Sequence, residues 1–177
     1  LVHAARVPLL KLQRTKAAPD LHLRPGHKWH MFLSHIWGSA QDQCATIKRQ
    51  LCLLLPGVSV FLDVDDLKDI GELETYIEQS QVILIFVSKG YFKSKNCLRE
   101  ARCAVEKSKQ LCLVFDPVRG GGTFEHCRDD ECPDELRPQV FDGREPIVWH
   151  RIRDFQQISL KLLAEQLLLG VPNYRHQ

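Results

Sequence analysis

Six consecutive apolar residues, Val82 to Val87 (VILIFV), are bounded by the breaker Gly90 on one side and a short helical pattern on the other. A run of this length that does not alternate with polar residues predicts a strand buried on both faces. Such a strand needs helices on each side of a parallel sheet, and the flanking patterns supply them. His30 to Ile36 (HMFLSHI) is a short apolar strand, followed by a break at Gly38-Ser39. Cys44, Ile47, Leu51 and Leu54 then mark one face of a helix that Pro56-Gly57 stops. Val58 to Leu62 is a second strand, and a short helix follows from about Glu72. Leu98, Ala101 and Val105 mark another helix, and Leu111 to Phe115 a fourth strand. Gly120 opens a long polar stretch to Pro146, and Ile147 to Trp149 is a weak fifth strand. In the last helix Asp154 and Gln157 read as a capping box. Phe155, Ile158, Leu162, Leu163 and Leu167 read as its apolar positions, with Gly170 and Pro172 as its end.

Strands alternating with helices predict an α/β fold: a flavodoxin-like three-layer sandwich, with a five-stranded parallel sheet and helices on both faces. In such sheets ligands gather beyond the carboxy ends of the strands, here just after Ile36, Leu62, Val87 and Phe115. Residues 29–170 form the expected domain. Residues 1–28 precede it as a basic arm or linker, and 171–177 follow as a tail.

The arm holds six Lys/Arg and one acid, whereas the other 149 residues carry a net charge of −3. An arm of this kind either contacts phosphates or acidic lipid or is a solvated linker. The overall charge of +2 is too small to predict a nucleic-acid partner. No stretch approaches the ~20 apolar residues of a membrane span. The chain opens on Leu1, as a piece of a longer protein does, and no signal-peptide pattern precedes the body. Seven scattered cysteines predict a reduced, cytoplasmic protein, with Cys44, Cys52, Cys103 and Cys112 as small buried hydrophobes.

Four segments at the predicted strand and helix boundaries carry a family pattern. They are Phe32-Leu33-Ser34-His35; Ser59 to Val64 followed by Leu67 and Gly71; Phe86-Val87-Ser88 followed by Tyr91; and Ser94 to Glu100 (SKNCLRE). From about His30 to Leu169 the chain resembles a Toll/interleukin-receptor (TIR) domain. The second segment is similar to the animal axon-degeneration type, and Cys97-Leu98-x-Glu100 to the plant immune-receptor type. Both types cleave NAD at the nicotinamide–ribose bond. Other TIR domains are scaffolds that act through TIR–TIR contacts.

The resemblance implies Glu100 as the catalytic residue. Cleavage of the nicotinamide bond builds an oxocarbenium-like cation and releases a neutral base. One carboxylate beside the ribose therefore suffices, without a general acid. Glu100 lies about 200° from Leu98 around its helix, which predicts a position off the core face. Backbone N–H groups near the helix start are expected to keep it ionised. The alternative is an ordinary surface glutamate.

Ser34, His35, Trp37, Asp63, Leu67, Asn96 and Cys97 complete the expected substrate site. Asn96 stands where NAD-cleaving relatives often have Trp, and Asn is also a preferred N-cap. Trp37 either supplies the missing aromatic wall or closes the strand end. His35 and Ile36 stand where an aromatic and a basic residue are common, and a protonated His35 would replace the base in part. Ser34 either bonds the ligand or caps the loop. Asp63 to Gly71 resembles a mobile loop that docks on a neighbouring TIR domain, anchored by Leu67 and Gly71.

No metal is expected. His126, Cys127 and Cys132 fit no zinc spacing, and Gly120 to Gly122 lack a P-loop sequel. The reading is thus a domain that hydrolyses NAD, as substrate rather than cofactor, to nicotinamide and ADP-ribose or its cyclic form. It would do so on self-association, with copies of itself or other TIR proteins as partners. A non-catalytic scaffold and a module that binds NAD without cleaving it are the alternatives.

Overall fold

The computed structural model describes residues 8–66 and 70–176. Its strands are β1 (Trp29–Ser34), β2 (Val60–Phe61), β3 (Ser80–Val87), β4 (Gln110–Phe115) and β5 (Ile147–Val148). They form one parallel sheet in the order β2-β1-β3-β4-β5. This is the flavodoxin-like order, and its switch point lies between β1 and β3. The helices are α1 (Trp37–Leu54), α2 (Asp63–Asp66), α3 (Leu73–Glu78), α4 (Lys95–Glu106), α5 (Arg137–Phe141) and α6 (Arg153–Leu169).

All of β3 is buried, as its uninterrupted apolar sequence requires. Its period-2 alternation feeds two separate cores. Val82, Leu84 and Phe86 pack with Ala40, Cys44, Ile47 and Leu51 of α1 and with Leu160, Leu163 and Leu167 of α6. Ile83, Ile85 and Val87 face α3, α4 and α5 through Leu73, Ile77, Ala101, Val140 and Phe141. Each side chain of this size contributes about 1.5–3 kcal/mol when fully buried. The strand therefore ties both helical layers to one sheet.

Several local expectations are corrected. Gly38-Ser39 does not break the chain but lies in the first turn of α1, where Ala40 N–H already bonds Ile36 O at 3.0 Å. β2 shrinks to two residues, an edge strand paired only with β1. The polar stretch 120–146 is not featureless. A π-helical turn at His126–Glu131 and α5 bury Cys127, Val140 and Phe141. Arg137 knits that stretch by donating to the carbonyls of Arg128 (2.8 Å), Asp129 (2.8 Å) and Cys132 (3.1 Å). Sparse apolar residues stabilised by side-chain-to-backbone bonds leave no periodic signal.

Of the expected apolar positions of α6, Leu163 and Leu167 are buried, whereas Phe155, Ile158 and Leu162 are not. Its buried face is Ser159, Leu160, Leu163, Ala164, Leu167 and Leu168. Phe155, Ile158 and Leu162 are 51%, 55% and 41% exposed. Leu160, Leu163, Leu167 and Leu168 face the core and set the orientation, and Ser159 adds a polar tie on the same side. Its hydroxyl donates to Val148 O at 2.6 Å and fixes that face against β5. The expected capping box does not form, and Ile152 caps the helix without a side-chain bond.

The described part of the arm lies against the domain. Leu10 N–H bonds Leu54 O (2.9 Å), Arg24 N–H bonds Gln81 Oε1 (2.8 Å), and Leu10 and Leu21 pack on the α1/α6 core. His30 helps to hold it, with Nε2 donating to Leu21 O at 2.8 Å. Cys52 is exposed rather than buried, whereas the other six cysteines are buried. Among the described residues no helix is long and apolar enough to cross a membrane.

The end of α6 makes the tightest approach to the sheet. A Cβ on Gly170 would lie 2.6 Å from Val82 Cγ2 and 3.2 Å from Leu167 O. Val82 is β-branched and fully buried, so it cannot yield cheaply. Gly170→Ala is expected to destabilise the domain by about 1–3 kcal/mol in urea unfolding. Gly38→Ala, with open space around it, should match or exceed the wild type by up to about 1 kcal/mol. Equal stability of the two variants would contradict this packing.

Candidate active site

The carboxy end of β1 and the start of α4 meet at the switch point and build the site together. Ser94 caps α4, its Oγ accepting Cys97 N–H at 3.4 Å. Asn96 is therefore not the cap but a residue of the first helical turn. From Cys97 the buried positions recur as Cys97, Glu100, Ala101 and Ala104. This spacing of three, four and seven is a core stripe. Glu100 thus sits on the core face and not off it. Leu98 and Val105, which suggested another face, only flank the stripe as partly buried residues.

Burial changes the chemistry expected of Glu100. It is 6% exposed, and loss of water pushes its carboxyl from 4.5 up to about 8. A hydrogen bond from Ser34 and the charge of Arg99 oppose this shift, and the charge of Asp63 reinforces it. Glu100 is the sixth residue of α4, beyond the orphan N–H groups of the first turn. The helix end therefore does not keep it ionised, and at neutral pH it is mainly a carboxylic acid. Arg99 pairs with Glu74 of α3, and among the described residues no arginine is hydrogen-bonded to Glu100.

Ser34, wholly buried behind Glu100, donates to its Oε2 and is itself bonded by the hydroxyl of Tyr91. It neither caps the loop nor opens to solvent. Tyr91 belongs to the turn Tyr91–Lys93 between β3 and α4. Its role escaped sequence reading, although a tyrosine next to an apolar strand needs a partner for its hydroxyl once buried.

A pocket of about 250 Å³ opens in front of this pair. His35, Trp37, Asp63, Asn96, Cys97 and Glu100 all line it, so the structure gathers six of the expected site residues. Ile36, Gly38, Leu73 and Ser94 complete the wall. Leu67 lies outside the described residues. His35 is buried with both ring nitrogens engaged, Nδ1 by Leu33 O at 3.1 Å and Nε2 by Gln41 Oε1 at 2.6 Å. It shapes the wall rather than reaching outward. Trp37 is 60% exposed and stands at the rim, its indole N–H donating to Asp63. Asn96 is exposed on the same helical face as Glu100, one turn earlier. The Cys97 thiol donates to His35 O at 3.3 Å, and burial pushes it up to about 12. It is no nucleophile at neutral pH.

Part of the acidic loop beside the pocket is paired with Lys48. Lys48 Nζ lies 3.0 Å from Asp65 and 2.7 Å from Asp66, and Asp66 also accepts Leu62 N–H. No His, Cys, Asp or Glu group among the described residues is arranged to hold a metal ion. His126 faces Asp130 and Glu131 at 2.8 and 3.4 Å.

Comparison with known proteins rests on the fold. No protein-family model matches the sequence. No curated protein matches it either. Among solved structures, a TIR-STING receptor from C. gigas in complex with 2',3'-cGAMP superposes with a TM-score of 0.60 at 18% identity, over 85% of this chain. This chain spans only 42% of that receptor's length. The TIR domains of the activated Roq1 resistosome, which recognises the pathogen effector XopQ, give 0.57 at 18% identity, covering 79% of this chain and 99% of that one. The TIR domain of the Toll-related receptor TRR-2 from Hydra magnipapillata gives 0.51 at 13% identity, over 79% and 98%. The fold is that of a TIR domain.

The raised Glu100 carboxyl makes stability depend on pH. Between about 4.5 and 8 the folded chain holds a proton that the unfolded chain releases. Its contribution is full below 4.5 and is lost as pH rises through 8. Glu100→Gln removes that loss. Its melting temperature relative to wild type should therefore climb between pH 5 and pH 9 and then level. A difference independent of pH would refute the assignment.

Proposed function

Starting from the TIR fold, we propose that this domain cleaves NAD at the nicotinamide–ribose bond, yielding nicotinamide and ADP-ribose or its cyclic form. The observation that carries this reading is Glu100, a carboxyl held by Ser34 at the floor of a pocket at the sheet's switch point. The nicotinamide ring of NAD is cationic. Seated in the pocket, it brings positive charge to Glu100 and Asp63 and favours the ionised carboxyl over the acid. The carboxylate then accepts the ribose hydroxyls and stabilises the oxocarbenium cation as the neutral base departs. Trp37 at the rim offers an aromatic face for the base, with its indole held by Asp63. Asn96 and Cys97 border the ribose side.

Self-association belongs to the same reading. A volume of about 250 Å³ suits the nicotinamide–ribose half of a dinucleotide and falls below the usual range of ligand sites. The remainder of NAD would lie across the loop after Asp63 and a neighbouring copy. Away from the pocket, the exposed stripe of α6 offers copies of the chain a further contact surface. Phe155, Ile158 and Leu162 are its exposed apolar positions, and a two-fold axis across the helix would set this stripe against itself. On this reading the domain acts in cytoplasmic immune or cell-death signalling, together with its own copies or other TIR proteins. The same stripe also favours a second reading, a scaffold without catalysis.

Incubating the concentrated domain with NAD separates the two. Nicotinamide release should fall by at least about 10²-fold in Glu100→Ala. Release that survives this substitution would end the catalytic reading. Absence of release from an associated wild type would favour the scaffold. Ile158→Glu should weaken association and lower activity per molecule at low concentration while the melting temperature holds. Unaltered association would exclude α6 as the contact.

A further inference from the structure

The hydroxyls behind Glu100 determine which of its oxygens carries the proton. Tyr91 is wholly buried, and Ser34 Oγ is its hydroxyl's hydrogen-bond partner among the described residues. A phenol has one proton to give, and leaving it enclosed without an acceptor would cost about 1–3 kcal/mol. Tyr91 therefore donates to Ser34. Ser34, 1% exposed, also has one proton, and with Tyr91 already donating to it the remaining acceptor is Glu100 Oε2. Oε2 thus accepts a hydrogen bond whether Glu100 is ionised or neutral. Among the described residues Glu100 Oε1 has no hydrogen-bond partner, and it is not one of the enclosed side-chain atoms that lack one, Trp29 Nε1 and Glu131 Oε1. Oε1 consequently faces the pocket that Glu100 lines.

We infer that Tyr91 and Ser34 are positioning residues that pin Glu100 through Oε2 and keep its acid proton on Oε1, facing the pocket. This rests on the catalytic reading for its functional meaning, though the proton's place does not. The resting pocket offers an O–H donor, which suits a carbonyl or hydroxyl oxygen. Release of that proton into the pocket turns the same atom into an acceptor for sugar hydroxyls. The two donors aimed along the chain stabilise the carboxylate against its burial. The other groups around Glu100 differ in kind. Asp63 on α2 opposes ionisation, Arg99 on α4 favours it, Cys97 stays a neutral thiol, and the ring of His35 is tied to Leu33 and Gln41.

The test is titration of the Glu100 carboxyl in the whole chain by carbon NMR without substrate, assigned by its loss in Glu100→Gln. Tyr91→Phe should raise the titration midpoint by about 1 pH unit. Ser34→Ala should raise it further, and Ser34→Thr should restore it. An unmoved midpoint in folded Tyr91→Phe would overturn the inference. Should Tyr91→Phe fail to fold, equal midpoints for Ser34→Ala and Ser34→Thr would overturn it instead. Nicotinamide release is measured on the same samples. Shifted midpoints with no NAD cleavage would uphold the proton's place and end the catalytic reading. Glu100-dependent cleavage with unmoved midpoints would do the reverse.

Discussion

A carboxyl group lies on the core face of α4, and the desolvation of that group governs the site. Most glutamates on a helix face water, where ionisation costs nothing. Glu100 instead shares its stripe with Cys97, Ala101 and Ala104, small side chains that let α4 approach the carboxy end of β1. Ser34 meets it there as a donor, backed by Tyr91. The result is a group that is neutral at rest and ready to ionise when positive charge arrives. A cationic ring in the bound substrate is the chemistry that such a carboxyl answers best. A surface carboxylate, ionised throughout, would gain less from the arriving charge.

The sequence made the sheet legible because strand burial writes directly into composition. VILIFV has one stable place, the centre of a parallel sheet, and Pro56-Gly57 stops a helix by covalent geometry alone. The strand ends then located the site, and His35, Trp37, Asp63, Asn96, Cys97 and Glu100 meet there. Where reading failed, periodicity alone did not decide. In α6 two apolar stripes compete, and Leu160, Leu163, Leu167 and Leu168, with Ser159 bonded to Val148, take the core and leave Phe155, Ile158 and Leu162 outside. Ser94 rather than Asn96 caps α4, since both suit the position and only the chain's path from Tyr91–Lys93 decides between them. Burial of Glu100 was hidden for a related reason. A lone acid in an otherwise small-residue stripe reads as the stripe's edge until its neighbours are seen.

The pocket and the outer surface share one logic. The recess is narrow, walled by helix starts, and adjoins the loop after Asp63, while the most apolar exposed face lies away on α6. Lys48 holds Asp65 and Asp66 and Arg99 holds Glu74, so the segments on either side of 67–69 are each anchored to a helix. These described flanks are thereby tied to α1 and to α4, the helix that carries Glu100. A neighbour that shifts the loop would act on the pocket through these two ion pairs, both partly exposed and individually weak.

If Glu100 holds the ribose as a carboxylate, it must lose its proton before the nicotinamide bond breaks. The dependence of kcat/KM for NAD cleavage on pH tests this most directly, because it reports the free enzyme's ionisation. The account predicts a rate that climbs about tenfold per pH unit from pH 6 and levels near the Glu100 value of about 8. A profile already level at pH 6 would contradict it.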